Sequence, residues 1–227
     1  NDNIIVNQSS SGNTIQLGEG NNSFTVGGSL NQGTTQAGAG NDTFIVNQGA
    51  STTQVNLGNG NNTISIKESL NGSNITTGSG SDTLIVGGNS DGNTISMGAG
   101  ADKVQINGNV QDTKIDLGDG NDSIQLSSNS NVNFNISTVI DGGKGQDTLY
   151  FSGKMEDYKV AVGTDTGTTQ LVSWAQFVNM NKNTDGYANK IFTIYEVDGN
   201  GTLQGSKFLV KNIENVEDKL ILIEFKN

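Results

Sequence analysis

The sequence predicts an all-β protein: a parallel β-solenoid, or β-roll, of 20-residue coils over residues 1–150, followed by a β-rich cap over residues 151–227. Three observations predict it. Six ten-residue blocks, LGEGNNSFTV from Leu17, AGAGNDTFIV from Ala37, LGNGNNTISI from Leu57, TGSGSDTLIV from Thr77, MGAGADKVQI from Met97 and LGDGNDSIQL from Leu117, begin 20 residues apart without a slip. Within each block apolar and polar residues alternate, the period of a strand with one buried face. Only 32% of the 227 residues are hydrophobic, against 32 Gly and 32 Asn, which is thin for one compact core but enough for a narrow core drawn out along an axis.

The first strand of each coil places Phe24, Phe44, Ile64, Leu84, Val104 and Ile124 in one inward column and Val26, Val46, Ile66, Val86, Ile106 and Leu126 in the next. Ser23, Thr43, Thr63, Thr83, Lys103 and Ser123 fall on the opposite side. A second strand about ten residues away has inward columns Ile15, Thr35, Val55, Ile75, Ile95, Ile115 and Leu17, Ala37, Leu57, Thr77, Met97, Leu117. This reading gives two strands and two turns per coil, with coils stacked ~4.8 Å apart over about 35 Å. One turn always follows the pattern G-x-G-[NSA]-[DN], whose glycines allow a tight turn. The other (QSSSGN, SLNQGT, ESLNGS, NSDGNT, NVQDTK) is polar and irregular. Asn1-Asp2 align with Asn21-Asn22, so the first residues read as the tail of another unit and imply repeats further upstream.

Composition excludes several chemistries. The chain has no His and no Cys, so an imidazole base, a thiol nucleophile, an ordinary zinc site and a disulfide are all ruled out. All 12 basic residues are Lys, and the net charge is −11, which argues against nucleic acid and anionic membranes and in favour of cations. No segment approaches the ~20 apolar residues of a transmembrane span.

The last position of the Gly turn forms an acidic column: Asp2, Asn22, Asp42, Asn62, Asp82, Asp102, Asp122 and, after five extra residues, Asp147. Stacked carboxylates repel by about 1 kcal/mol in water and several times that near a protein surface. Until Lys144 no basic residue lies in these turns. A hard divalent cation between adjacent turns would relieve the column. Calcium suits carboxylates and Gly-turn carbonyls better than magnesium, which demands a stricter octahedron. The alternative is a turn stabilised by Asn and Asp without any ion, and it weighs most at Asn22 and Asn62, since Asn stacks hydrogen-bond along a ladder by themselves.

Gly142-Gly143-Lys144-Gly145-Gln146-Asp147-Thr148-Leu149 resembles the G-G-x-G-x-D-x-L repeat of RTX proteins, which bind Ca²⁺ in a parallel β-roll. The six upstream turns resemble it less the first Gly. The segments FSGKMEDYKVAV from Phe151 and FLVKNIENVED from Phe208 look like the β-rich cap of such rolls, with FSGKMEDYKVAV expected to cover the last coil. The resemblance implies secretion through a type I exporter that reads an uncleaved C-terminal signal, folding on external calcium, and a place outside the cell or on the bacterial surface. The candidate metal ligands are Asp42, Asp82, Asp102, Asp122 and Asp147 from the column, with Gly118, Asp119, Gly120, Asp141, Gly143 and Gly145 from the last two turns. The chain departs from the family in having metal-competent turns on one side only.

The function expected is structural and not enzymatic: the calcium-dependent C-terminal module of a secreted surface-layer protein, with possible self-association in a lattice. The alternative is an accessory module that helps a secreted enzyme, adhesin or toxin fold after export. A lyase or glycosidase reading fails because the stacked spacing of ~5 Å recurs in every coil, marking a ladder and not a site. An ice-binding reading fails because the outward row Thr14, Thr34, Gln54, Asn74, Thr94, Lys114 is too mixed. Asp198-Gly199-Asn200-Gly201-Thr202 resembles the start of an EF-hand loop, but Leu209 stands where Glu is needed, so a hairpin turn is expected there, as at Asp165-Thr166-Gly167. Trp174 and Phe177 are expected in the cap core.

Overall fold

Alternating residues make strands, and the 20-residue repeat makes those strands pair in parallel with their own copies. The computed structural model describes residues 1–126, 137–151, 158–163, 169–173, 176, 192–197 and 203–211. It is a parallel β-solenoid of about six turns, nearly all β. The first face is an eight-stranded sheet of Asn3–Val6, Ser23–Val26, Thr43–Val46, Thr63–Ile66, Thr83–Val86, Lys103–Ile106, Ser123–Leu126 and Thr148–Phe151. Pairing steps by one full repeat each time, Phe24 beside Phe44 and Ile64 beside Leu84. The last step absorbs the five extra residues and pairs Ile124 with Leu149. Another face carries Thr14–Gly18, Thr34–Ala37, Gln54–Asn56, Asn74–Thr76, Thr94–Ser96, Lys114–Asp116 and Val139–Asp141.

The core lies where the alternation puts it. All six members of each inward column on the first face are buried, and the Phe24 and Phe44 rings pack 5.7 Å apart at 58°. On the facing sheet Val55, Ile75, Ile95, Ile115 and Ile140 are buried, with Leu17, Leu57, Met97 and Leu117 beside them. Thr35 and Thr77 are buried in these columns too, and the Thr77 hydroxyl donates to the Met97 carbonyl of the next coil. Among the described residues the one large apolar side chain left exposed is Ile5, on the outer side of the first face.

The coil has three strands and not the expected two. The turn that reads as irregular contains a two-residue strand: Ser10–Ser11, Leu30–Asn31, Ala50–Ser51, Leu70–Asn71, Ser90–Asp91 and Val110–Gln111 form a six-stranded parallel sheet of their own. Its inward column is Ser10, Leu30, Ala50, Leu70, Ser90 and Val110, all buried. Half of that column is small or polar, so no hydrophobic period marks it. Beside it runs a buried polar column of Thr53, Ser73, Asn93 and Thr113 that satisfies itself, as burial requires. The Ser73 N–H donates to Asn93 Oδ1 at 2.8 Å, and Asn93 Nδ2 donates to the Leu70 carbonyl at 2.8 Å and to Ser90 Oγ at 2.9 Å. The residue between these two columns turns the chain in the left-handed region: Gly12, Gly72 and Gly92 do so freely, while Gln32, Thr52 and Asp112 hold φ of 53°, 53° and 46°.

Beyond the last coil, Leu203–Lys211 joins the edge of the sheet at Val139–Asp141 in parallel, pairing Ile140 with Val210. Phe192–Val197, Tyr158–Gly163 and Thr169–Ser173 then follow in antiparallel order. The strand laid against the last coil is therefore the FLVK segment; the YKVAV strand expected to cover that coil lies two strands further out. The strands flanking Asp165-Thr166-Gly167 and Asp198-Gly199-Asn200-Gly201-Thr202 pair antiparallel as hairpins require. Those turn residues, Trp174, Phe177 and the C-terminal segment expected to hold an export signal lie outside the described residues.

Two outcomes check this geometry. Leu70→Ala should lower stability by about 2–5 kcal/mol in a denaturant titration, because it empties a buried site, whereas Ile5→Ala should change it by less than about 0.5 kcal/mol. Thr52→Gly should raise stability by about 1 kcal/mol, because it relieves a β-branched residue of a left-handed conformation.

Candidate functional site

The Gly turn is built from two glycines per coil, and stacking demands them. At Gly118 and Gly120 φ is 97° and 159°, and a Cβ would stand 1.7 and 1.5 Å from the carbonyl oxygens of Gly98 and Gly100 in the coil before. Gly143 and Gly145 repeat the arrangement over Gly118 and Gly120. The backbones of successive turns thus lie directly over one another, with no room for any side chain.

The two residues after the second Gly form two ladders that run in opposite directions. The outer residue is exposed, and its side-chain oxygen accepts from the next coil: the Asn41 N–H donates to Asn21 Oδ1 at 2.7 Å, Asn61 to Asn41 at 2.8 Å, Ser81 to Asn61 at 2.7 Å and Gln146 to Asn121 at 2.9 Å. The inner residue is buried from Asn22 to Asp122 and partly buried at Asp147, and its oxygen accepts from the coil before. The Asn22 N–H donates to Asp42 Oδ1 at 2.7 Å, Asp42 to Asn62 at 2.9 Å, Asn62 to Asp82 at 2.7 Å, Asp82 to Asp102 at 2.7 Å, Asp102 to Asp122 at 2.7 Å and Asp122 to Asp147 at 2.9 Å. Each turn is tied to both neighbours through side chains as well as backbone.

The acidic column expected from the sequence is this inner ladder. Asp42, Asp82, Asp102 and Asp122 are at most 2% exposed, which places charged groups in the wall of the core. In each of the four, Oδ1 takes the ladder bond while Oδ2 is buried with no hydrogen-bond partner. The Asn coils show what belongs at that position. Asn22 Nδ2 donates to the Gly20 carbonyl at 2.7 Å and to Gly18 at 3.3 Å, and Asn62 Nδ2 donates to Gly60 at 3.0 Å and to Gly58 at 3.1 Å. The ladder bond fixes which end of the planar group is the acceptor, so the Asp Oδ2 takes the place of the amide nitrogen. There, unlike the amide, it has no proton to offer the Gly carbonyls of the turn.

Electrostatics follow. Burial pushes the Asp42, Asp82 and Asp122 carboxyls up, although the backbone N–H groups of Asn22, Asn62 and Asp102 donate to them and pull the other way, as do the side chains of Asn22 at Asp42 and of Thr77 and Asn62 at Asp82. Asp102 is pushed up to about 7, first by burial and then by the charges of Asp122 and Asp82 on either side.

The remaining candidate ligands lie elsewhere. Asp119 is exposed and outward, held by Lys144 Nζ at 2.9 and 3.0 Å. Asp141 sits beside the buried Ile140 on an outward strand position, its Oδ1 3.3 Å from the Gly143 N–H. Gly118, Gly120, Gly143 and Gly145 supply the stacked turn backbones. No group of three or more acidic side chains converges among the described residues, so any cation here would rely on backbone carbonyls. A hard cation fits the donor set at Asp42, Asp82, Asp102 and Asp122: each offers a buried carboxylate oxygen without a hydrogen-bond partner, in a turn whose glycines leave the backbone bare. A proton answers the same need.

Sequence reasoning did not find the outer ladder, nor the amide bonds of Asn22 and Asn62. The recurring Asn-Asn and Asn-Asp pairs at one register were the available signal. No family model, curated protein or solved structure matches the chain. Among the described residues no helix is long and apolar enough to cross a membrane.

The raised carboxyls set a pH dependence. Between the ordinary carboxylate range and about pH 7 the folded state binds more protons than the unfolded chain, so stability must fall as pH rises. At Asp102, pushed up to about 7, the contribution to stability is present at low pH and lost as pH passes the folded value. In chelator, β-sheet order should therefore be greater at about pH 4.5 than at about pH 8. Circular dichroism across this range would show it, and order that grows with pH would contradict a buried neutral ladder.

Proposed function

We propose that the chain is a calcium-dependent structural module of a secreted bacterial surface protein, of the surface-layer kind, whose solenoid orders when Ca²⁺ enters the acidic turns outside the cell. The observation that carries this reading is the buried ladder of Asp42, Asp82, Asp102 and Asp122, each with a buried oxygen that has no hydrogen-bond partner. At roughly 5 Å, two neighbouring carboxylates at an effective dielectric near 20 repel by about 3 kcal/mol, so an uninterrupted ionised run is costly to close. Bound calcium would supply the charge that cancels this repulsion and would accept the carboxylate and carbonyl oxygens together. The chain's own residues do the rest. The Gly turns bare their carbonyls, Oδ1 of each Asp holds the coil below, and the apolar columns supply cohesion.

The likeness of Gly142–Leu149 to the calcium-binding nonapeptide supports the same ion, and the absence of His, Cys and Arg suits a scaffold better than a catalyst. Export through a type I system, assembly in a lattice and location on the cell surface belong to this proposal through that likeness.

The test is circular dichroism at neutral pH in chelator and then with added Ca²⁺, together with metal content by mass spectrometry. A β-sheet spectrum lost in chelator and restored by calcium is expected; one indifferent to chelator would sink the reading. Within it, Asp122→Ala should raise the calcium midpoint more than Asp42→Ala. Asp122 lies between Asp102 and Asp147, while Asp42 lies between Asn22 and Asn62. Equal shifts in calcium titrations of the two variants would count against shared ions along the column.

A further inference from the structure

The inner ladder mixes two residue types at one structural position, and the Asn coils solve a problem that the Asp coils leave open. In every coil one end of the side chain accepts the ladder bond, and in the Asn coils the other end faces two Gly carbonyls. Asn22 and Asn62 present a hydrogen-bond donor to those carbonyls, at 2.7–3.3 Å. Asp42, Asp82, Asp102 and Asp122 present a second acceptor, and its oxygen is buried without a partner. Asp and Asn have nearly the same shape, so the difference is the sign of the group at the turn and little else.

The geometry points to Asn22 and Asn62 as built-in replacements for a bound cation: their amide occupies the position where each Asp coil needs a positive partner, so the ion requirement of the solenoid is set coil by coil by the choice of Asp or Asn. This inference rests on the calcium reading above and extends it to residues that bind no ion. Two consequences follow from the order along the chain. Asp42 is flanked on both sides by self-satisfied coils and meets no charged ladder neighbour. From Asp82 to Asp147 four Asp follow in succession, so the need for cations is concentrated in the later coils.

The placement of the two Asn also bears on what they do for the fold. Each keeps the ladder bond, through Asn22 Oδ1 from the Asp2 N–H at 2.7 Å and Asn62 Oδ1 from the Asp42 N–H at 2.9 Å, so the tie between coils is preserved. An Ala at the same position would remove the charge but also the ladder acceptor and the carbonyl donor. Relief of repulsion and supply of a donor are thereby separable by mutation.

The test compares the full chain with D82N/D102N/D122N, with D82A/D102A/D122A and with N22D/N62D. Circular dichroism at neutral pH in chelator and calorimetric titration with Ca²⁺ are the readouts. The Asn triple variant should keep its β-sheet spectrum in chelator and bind fewer calcium ions than the parent. The Ala triple variant should stay disordered in chelator, although it carries the same net charge. N22D/N62D should bind more ions than the parent and need a higher calcium concentration to fold. If the parent responds to chelator but the Asn triple variant responds equally or fails to fold at all, or if N22D/N62D takes up calcium as the parent does, the amide substitution is wrong while the calcium reading stands. If the parent is itself indifferent to chelator, the calcium reading fails, and the cation replacement falls with it.

Discussion

In this solenoid each side chain has its own counterpart from the neighbouring coils above and below it, at the ~4.8 Å spacing of paired strands. That single constraint decides which residues the structure can use and where. Stacking like on like favours apolar columns, because each Ile or Phe buries its flank against another. Amides also tolerate it, because Asn is both donor and acceptor. Carboxylates do not, because neighbouring charges repel and burial strips their water.

The three faces share out these consequences. The first face is continuous and apolar inside, from Phe24 to Leu149, and holds the register of everything else. The short third strand contributes little apolar area in coils where its inward residue is Ser10, Ala50 or Ser90, and the polar column of Thr53, Ser73, Asn93 and Thr113 closes that corner with hydrogen bonds instead. The Gly turn takes the closest approach of all, backbone upon backbone, and this brings carbonyl oxygens close to the inner ladder. Two opposed ladders, Asn outside and Asp or Asn inside, lock that turn from both sides.

The acidic ladder is thus the place where a scaffold built from self-stacking residues breaks its own rule. A buried run of carboxylates lowers the stability of the ionised solenoid. On the calcium reading proposed above, its order is conditional on a positive partner, which would let an exported module stay unfolded where cations are scarce and close where they are plentiful. The position of the Asp residues, dense in the later coils and diluted by Asn22 and Asn62 earlier, gives that condition a direction along the axis.

Much of this was legible from residues alone. The 20-residue period, the inward columns, the Gly turn and the vertical alignment of Asp42, Asp82, Asp102, Asp122 and Asp147 all follow from repetition, because a repeat long enough to return the chain to its starting point must stack equivalent positions. The third strand was not legible: two residues with a mixed inward column leave no period to detect. Spacing put Asp119 and Asp141 outside the column but could not show where they point, since whether a turn carboxylate faces the wall or Lys144 depends on how the chain closes the corner. Only the tertiary structure showed that the Asn amides reach the Gly carbonyls of their own turn while the second oxygen of each inner Asp is buried without a partner, because that contact arises from the fold of the turn about its own side chain. Sequence determined which residues stack; the folded turn decided which of their atoms face each other.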